Sequence, residues 1–185
     1  MIPLLRMAKN NPRRPEAFTL IELLVVIAII AVLMGLLFPA GQSALNSAKK
    51  TTAKNQAVQI ATAITSYETE YGRFPSNSGT TVGPALVATL CTTNSPDNPR
   101  GIVFLEAAAW KNGKGGTNGS GSFCDPFGSN AVYQVRMDTN YANSLSSMPA
   151  QLGNTVNTSA TLNKRVAVWT IWTNKSVQTL INSWD

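Results

Sequence analysis

Few side chains in this 185-residue chain could do chemistry, because it has no histidine and only two cysteines. That excludes Ser-His-Asp and Cys-His catalysis, zinc sites that need imidazole, and any four-cysteine metal site. The nine acids show no paired carboxylates at motif spacing, so no general acid and base stand out. The residue that most needs a partner is Glu22. It is the one charge in residues 18–38, which read FTLIELLVVIAIIAVLMGLLF. A carboxylate inside a bilayer costs roughly 2.5–3.5 kcal/mol on insertion scales. Lying five residues into the run, Glu22 either stays hydrated at the interface or meets a positive group, such as a free amine on a neighbouring chain. A chain that began at Phe18 would supply that amine. Cys91 and Cys124 are the other reactive pair. They form no Cys-x-x-Cys, which argues against redox catalysis. They are either two buried thiols or, favoured in an oxidising compartment, a disulfide closing a loop of about 34 residues and contributing roughly 3–4 kcal/mol. The glycine-rich stretch 112–122, NGKGGTNGSGS, lacks a GK[ST] ending and a strand–loop–helix context. It reads as a surface loop without core-forming residues, not as a phosphate cradle.

The elements that must carry these residues follow from hydropathy and spacing. As a helix, residues 18–38 span roughly 31 Å, close to the thickness of a bilayer's hydrocarbon core. The run exceeds the roughly 7–15 apolar residues of a cleavable secretory signal and leads into helix-compatible sequence, so it reads as a membrane helix. Arg6, Lys9, Arg13 and Arg14 precede it against Glu16 alone, which favours a cytoplasmic N-terminus and an exported remainder. Lys49, Lys50 and Lys54 weaken that bias but begin ten residues past Pro39. Pro39, with Gly35 nearby, predicts a kink or local melting. Beyond it, Ala57, Ile60, Ile64, Tyr67 and Tyr71 form one apolar stripe, with Lys54, Gln56, Gln59, Thr62, Thr65 and Glu68 on other faces. This predicts a helix over 41–71, stopped by Gly72 and Pro75. The stripe suits packing against a sheet, with a dimerisation seam as the alternative. Residues 76–130 are rich in Gly, Ser, Thr, Asn and Pro, and within them 101–110 could be strand or helix. Alternation predicts strands over 131–137 and 165–173, the second central in its sheet because both of its faces are apolar. The expected class is α+β. One long helix over 18–71 faces lipid or neighbours with its first half and packs its second half on a small antiparallel sheet.

Residues 16–27, EAFTLIELLVVI, resemble the class III signal of type IV prepilins and type II secretion pseudopilins. The resemblance implies a leader, 1–17, cut between Ala17 and Phe18 by a membrane prepilin peptidase, with N-methylation of Phe18. Ala17 stands where that family usually has Gly. The resemblance also implies that Glu22 pairs with the N-terminal amine of a neighbouring subunit. The organisation implied is a transmembrane and assembly helix over 18–39, its amphipathic continuation over 40–72, and a periplasmic head over 73–185. Tyr67-Glu68-Thr69-Glu70-Tyr71-Gly72-Arg73-Phe74-Pro75, then Asp125-Pro126-Phe127-Gly128 with Tyr133, then the closing VAVWTIWTNKSVQTLINSWD, resemble the major pseudopilin more than a pilin.

What this implies is a non-enzymatic subunit of a type II secretion pseudopilus, anchored once in the inner membrane and polymerised to support protein export. The alternatives are a type IV pilus subunit for adhesion, motility or DNA uptake, and, from a different class, a membrane-anchored periplasmic binding module. The implied partners are copies of itself, other pseudopilins or pilins, prepilin peptidase, the inner-membrane assembly platform and lipid. Nucleic acid is not among them, because no Lys/Arg stripe with interleaved aromatics appears beyond the leader. The major pseudopilin's calcium site is not carried over, and no cofactor or metal is expected: residues 174–184 contain no Asp or Glu, and calcium usually takes carboxylates among its oxygen ligands. Asp125 reads as the cap of a turn.

Overall fold

The computed structural model describes residues 18–76, 79–128 and 131–185. Residues 1–17, where a leader and the cut after Ala17 are expected, lie outside the described residues. The chain divides into two compact units, one ending at Ala44 and one covering Leu45–Asp185. The helix α1, Leu20–Tyr71, contributes to both.

In the first unit the apolar side chains have nothing to pack on. The large ones between Leu20 and Leu37 are 47–81% exposed. The helical backbone runs on through Pro39, so the expected melting does not occur in the single chain. Proline lacks an N–H, which removes the donor that the Gly35 carbonyl would otherwise meet one turn later. α1 is long and apolar enough to cross a membrane, with an 18-residue window of mean hydropathy 3.1.

In the second unit the same helix behaves differently because its apolar residues recur every three or four positions. Ala53, Ala57, Ile60, Ile64 and Tyr67 are fully buried. Ala57, Ile60, Ile64 and Tyr67 pack with Leu86, Leu90, Phe123, Tyr133, Val135 and Val168, so the stripe is a core seam. Gly72 ends α1 in the left-handed region (φ 67°), its N–H donating to the Glu68 carbonyl at 2.8 Å.

A short helix α2, Pro84–Cys91, follows, with proline at its start. Among the described residues, three small antiparallel sheets complete the unit. β1 (Gly116–Thr117) pairs with β2 (Phe123–Cys124). β3 (Gln134–Met137), β6 (Val166–Asn174) and β7 (Val177–Asn182) form a sheet in the order β3-β6-β7. β4 (Leu145–Leu152) and β5 (Thr155–Leu162) form a hairpin of their own. The class is α+β, as expected, and β6 is the central strand. Its Val168 enters the helix-side core, while Ala167 enters a second cluster with Leu145 and Met148. Both faces are therefore buried in the first half of the strand, whereas Ile171, Thr173 and Asn174 beyond it are exposed.

Three expectations need correction. Residues 101–110 form neither a helix nor a named strand; only Ala109 bridges to Thr117. The glycine-rich loop is not wholly surface. Gly116 is buried, and a Cβ there would sit 2.1 Å from the Ala108 carbonyl oxygen. Its φ of 77° likewise requires glycine. Glu68 is not on a solvent face: it is 7% exposed and pairs with the Arg165 guanidinium, which lies over Phe74 at 5.6 Å and Tyr141 at 5.3 Å.

Candidate functional site

The N-terminal site is built on the first turn of α1. Thr19 precedes the first helical residue and Glu22 sits three positions later. The Thr19 backbone N–H and hydroxyl each donate to Glu22 Oε2 at 2.8 Å, and the Glu22 N–H donates to Thr19 Oγ1 at 3.3 Å. This reciprocal pattern is a capping box, Thr-x-x-Glu, which satisfies amide groups that a helix start otherwise leaves open. Sequence reasoning weighed Glu22 as a charge that is either hydrated at the interface or paired with a cation, and overlooked this local role. The signal was present as Thr19-Leu20-Ile21-Glu22 ahead of an apolar run.

The box has a chemical consequence. Both hydrogen bonds fall on Oε2, so the carboxylate keeps a fixed direction and a second oxygen able to accept from a cation. The positive end of the helix dipole also favours an anion in this turn. Phe18 is 79% exposed, next to the capping residue. The Thr19 donors belong to residue 19, so the box survives removal of everything before Phe18.

Residues 12–38 match the family model of the prokaryotic N-terminal methylation motif. Residues 12–38 thus carry a prokaryotic N-terminal methylation motif. The match covers Ala17, Phe18, Glu22 and the apolar run. It supports a type IV pilin-like substrate of prepilin peptidase, and it does not separate secretion pseudopilins from pilus subunits. No curated protein and no solved structure matches the chain significantly.

In the second unit the cysteines are not brought together as expected, and no Cys91–Cys124 disulfide is formed. Cys91 ends α2 as a half-buried thiol beside the Ala107 backbone. Cys124 lies in β2, where its sulfur accepts from Asn118 Nδ2 at 3.3 Å. Burial raises both thiol pKa values and so works against reactivity.

Asp125 does cap a turn, its Oδ1 accepting from the Phe127 N–H at 3.0 Å. It is also 1% exposed, with Oδ2 accepting from Thr170 Oγ1 at 2.9 Å. Burial pushes its carboxyl above the usual range, opposed by those two hydrogen bonds. Tyr133, of the same sequence stretch, is fully buried, and its hydroxyl reaches the Gln56 side chain at 2.8 Å and the Ala53 carbonyl at 3.2 Å. Tyr133 thus ties the chain entering β3 to α1, and Asp125 ties the chain leaving β2 to β6, which are structural roles.

Proposed function

We propose that this protein is a non-enzymatic filament subunit. Prepilin peptidase cuts it between Ala17 and Phe18, Phe18 is N-methylated, and copies polymerise through the N-terminal helix. The observation that carries this reading is the methylation signal at 12–38, set on a helix whose apolar side chains are bare in the single chain. Such a surface demands lipid first and neighbouring helices later. In the assembled state Glu22, held on Thr19, pairs with the Phe18 amine of the next subunit. That gives each buried charge a partner and sets axial register.

The finer reading is a major pseudopilin of type II secretion, in the inner membrane with its N-terminus cytoplasmic and its head periplasmic. Its filament would push or gate exported protein. Support comes from the order of three stretches along one chain: the helix end at Tyr67 to Pro75, Asp125-Pro126-Phe127-Gly128 with Tyr133, and the closing strands. A type IV pilus subunit is the competing member of the same group.

Mass spectrometry of the N-terminal peptide tests both levels, on the membrane fraction and on filaments sheared from the cell surface. A peptide beginning at N-methyl-Phe18 and confined to the envelope is the expected result. The same peptide abundant in sheared filaments replaces the secretion reading with a pilus. A chain that keeps its leader, or is cut after the apolar run, overturns the filament reading. A second test is Glu22→Gln, expected to leave membrane insertion intact and to reduce assembled filament at least tenfold, read by immunoblot of membranes and sheared material.

A further inference from the structure

The acids of the second unit are largely engaged by its own fold. Glu68, Glu70 and Asp97 face Arg165, Arg100 and Arg73. Asp125 and Asp138 are buried and accept backbone N–H groups, and Asp185 accepts from Asn182. Glu106 is the exception: it is exposed, and among the described residues its side chain has neither a cation nor a hydrogen-bond donor. Its neighbours lie on the solvent face of α1, where Val58, Thr62 and Thr65 form an exposed ridge. The Thr62 and Thr65 hydroxyls donate to the Val58 and Ala61 carbonyls at 2.8 and 3.0 Å, so their polarity is spent inside the helix. A groove runs along each flank of the ridge. One is lined by Val58, Thr62, Ser66, Phe104 and Glu106. The other is lined by Val58, Thr62, Thr65, Lys164 and Trp184. With 3.6 residues per turn, Gln59 and Ala63 of the first groove fall on one side of Val58, and Ala61 and Thr65 of the second fall on the other. Lys164 is exposed and enters no ion pair among the described residues, whereas the adjacent Arg165 is taken by Glu68. One stretch of α1 therefore carries a free acid on one flank and a free base on the other.

We propose that this face of the second unit is a contact between copies of the chain, in which Glu106 of one copy meets Lys164 of the next. The inference rests on the filament reading and deepens it by naming a contact outside the N-terminal helix. Charge complementarity selects a second copy as the occupant. Two copies set side by side in the same orientation bring unlike flanks together, so the groove holding Glu106 closes against the groove holding Lys164. A partner of one charge, whether nucleic acid or an acidic protein, would satisfy Lys164 and be repelled by Glu106. Two different patches meet, so the contact is heterologous. Each copy keeps a free flank for a further neighbour, and the contact can repeat along a filament where a two-fold pairing would stop at a dimer. An exposed ion pair is weak alone. It acts here where polymerisation through the helix already supplies neighbours at high effective concentration. Its contribution is to choose which flank faces which, because like charges brought together oppose the wrong docking.

The test uses the full chain in the envelope of cells that make it. A water-soluble carbodiimide joins a carboxylate to an amine without a spacer, so it reports only direct contact. The parent should give a cross-linked dimer whose tryptic peptide joins Glu106 to Lys164. Neither Glu106→Gln nor Lys164→Gln alone should give that peptide. The two variants made together should give it, because each supplies the group the other lacks, and only a link between copies can form. Charge reversal is the second readout. Glu106→Lys and Lys164→Glu should each lower the filament recovered from the envelope several-fold, and the double reversal should restore most of it. The proposal is overturned if an assembled parent yields no such peptide, or if Glu106 is joined to a different lysine. It is overturned equally if the combined single variants assemble without the link, or if a double reversal whose circular dichroism matches the parent assembles no better than the single ones. The state of Phe18 reports the filament reading separately. A parent that keeps its leader and stays monomeric sinks both readings, while filament of N-methyl-Phe18 chains without the link sinks this contact alone.

Discussion

Two charged residues show how burial decides what a side chain does. Asp125 is enclosed with two hydrogen bonds but, among the described residues, no cation, and its carboxyl pKa is raised mainly by burial. The folded form therefore holds a proton more tightly than the unfolded form, whose value is about 3.9. Stability falls as pH rises from that value through the raised folded one, and the penalty is fully present above it. Asp125→Asn removes this contribution. The gap in urea midpoint, variant minus parent, should widen in favour of the variant from acid toward neutral pH, and a gap independent of pH would refute the assignment. Arg165 presents the opposite case. It compensates Glu68, which is buried, whereas the Glu70–Arg100 pair is largely exposed. Arg165→Met strands a buried carboxylate and should cost about 1–3 kcal/mol. Arg100→Met should cost about 0–1 kcal/mol, as exposed pairs do. Equal losses in chemical denaturation would mean that Arg165 acts only through its stacking on Phe74 and Tyr141.

α1 carries two different hydrophobic codes in one element, and this is what the sequence made easiest to read. Before Pro39 the apolar residues are unbroken, and the structure leaves them bare. After it they recur at helical spacing, and the structure buries them against β3 and β6. Ile64→Ala should therefore cost about 2–5 kcal/mol. Val58→Ala, on the same helix but 41% exposed, should cost within about 0.5 kcal/mol. Matching losses in urea unfolding would contradict the observed face. Strands β3 and β6 were legible for the same reason, a clear alternation. The β4–β5 hairpin was not, because half of its strand residues are Ser, Thr, Asn or Gln without clear alternation, with Pro149 inside a strand whose register shifts there. What holds it is specific and nonperiodic: Gln151 bonds both the Gln178 carbonyl and the Leu180 N–H, and Gln178 bonds the Val156 N–H. α2 was hidden by its brevity within a stretch whose composition reads as loop. At the candidate site, Glu22 was legible as an anomaly of charge in an apolar run. The Thr19 bond was overlooked because local capping leaves no hydropathy signal.

At the scale of the whole chain, the two units solve opposite problems. Residues 45–185 bury their own apolar side chains in two clusters, one around Ile60, Ile64, Tyr67 and Val168 and one around Leu145, Met148 and Ala167. The helix segment before Leu45 buries almost nothing, with Leu20 at 81% and Leu36 at 70% exposure. Hydrophobic burial is the main term favouring a folded state, so stability should reside in the second unit and insolubility in the first. A fragment beginning at Leu45 keeps seven helical turns of α1 and every contact of the core. It should therefore be a soluble monomer in analytical ultracentrifugation and melt in one cooperative transition. The full chain should require detergent or lipid, and should melt at the same temperature within a few degrees once solubilised, because the bare segment adds no packing to the head. A fragment that is unfolded, or that melts far below the full chain, would show that the first unit supports the core and that the division at Ala44 is not an energetic one.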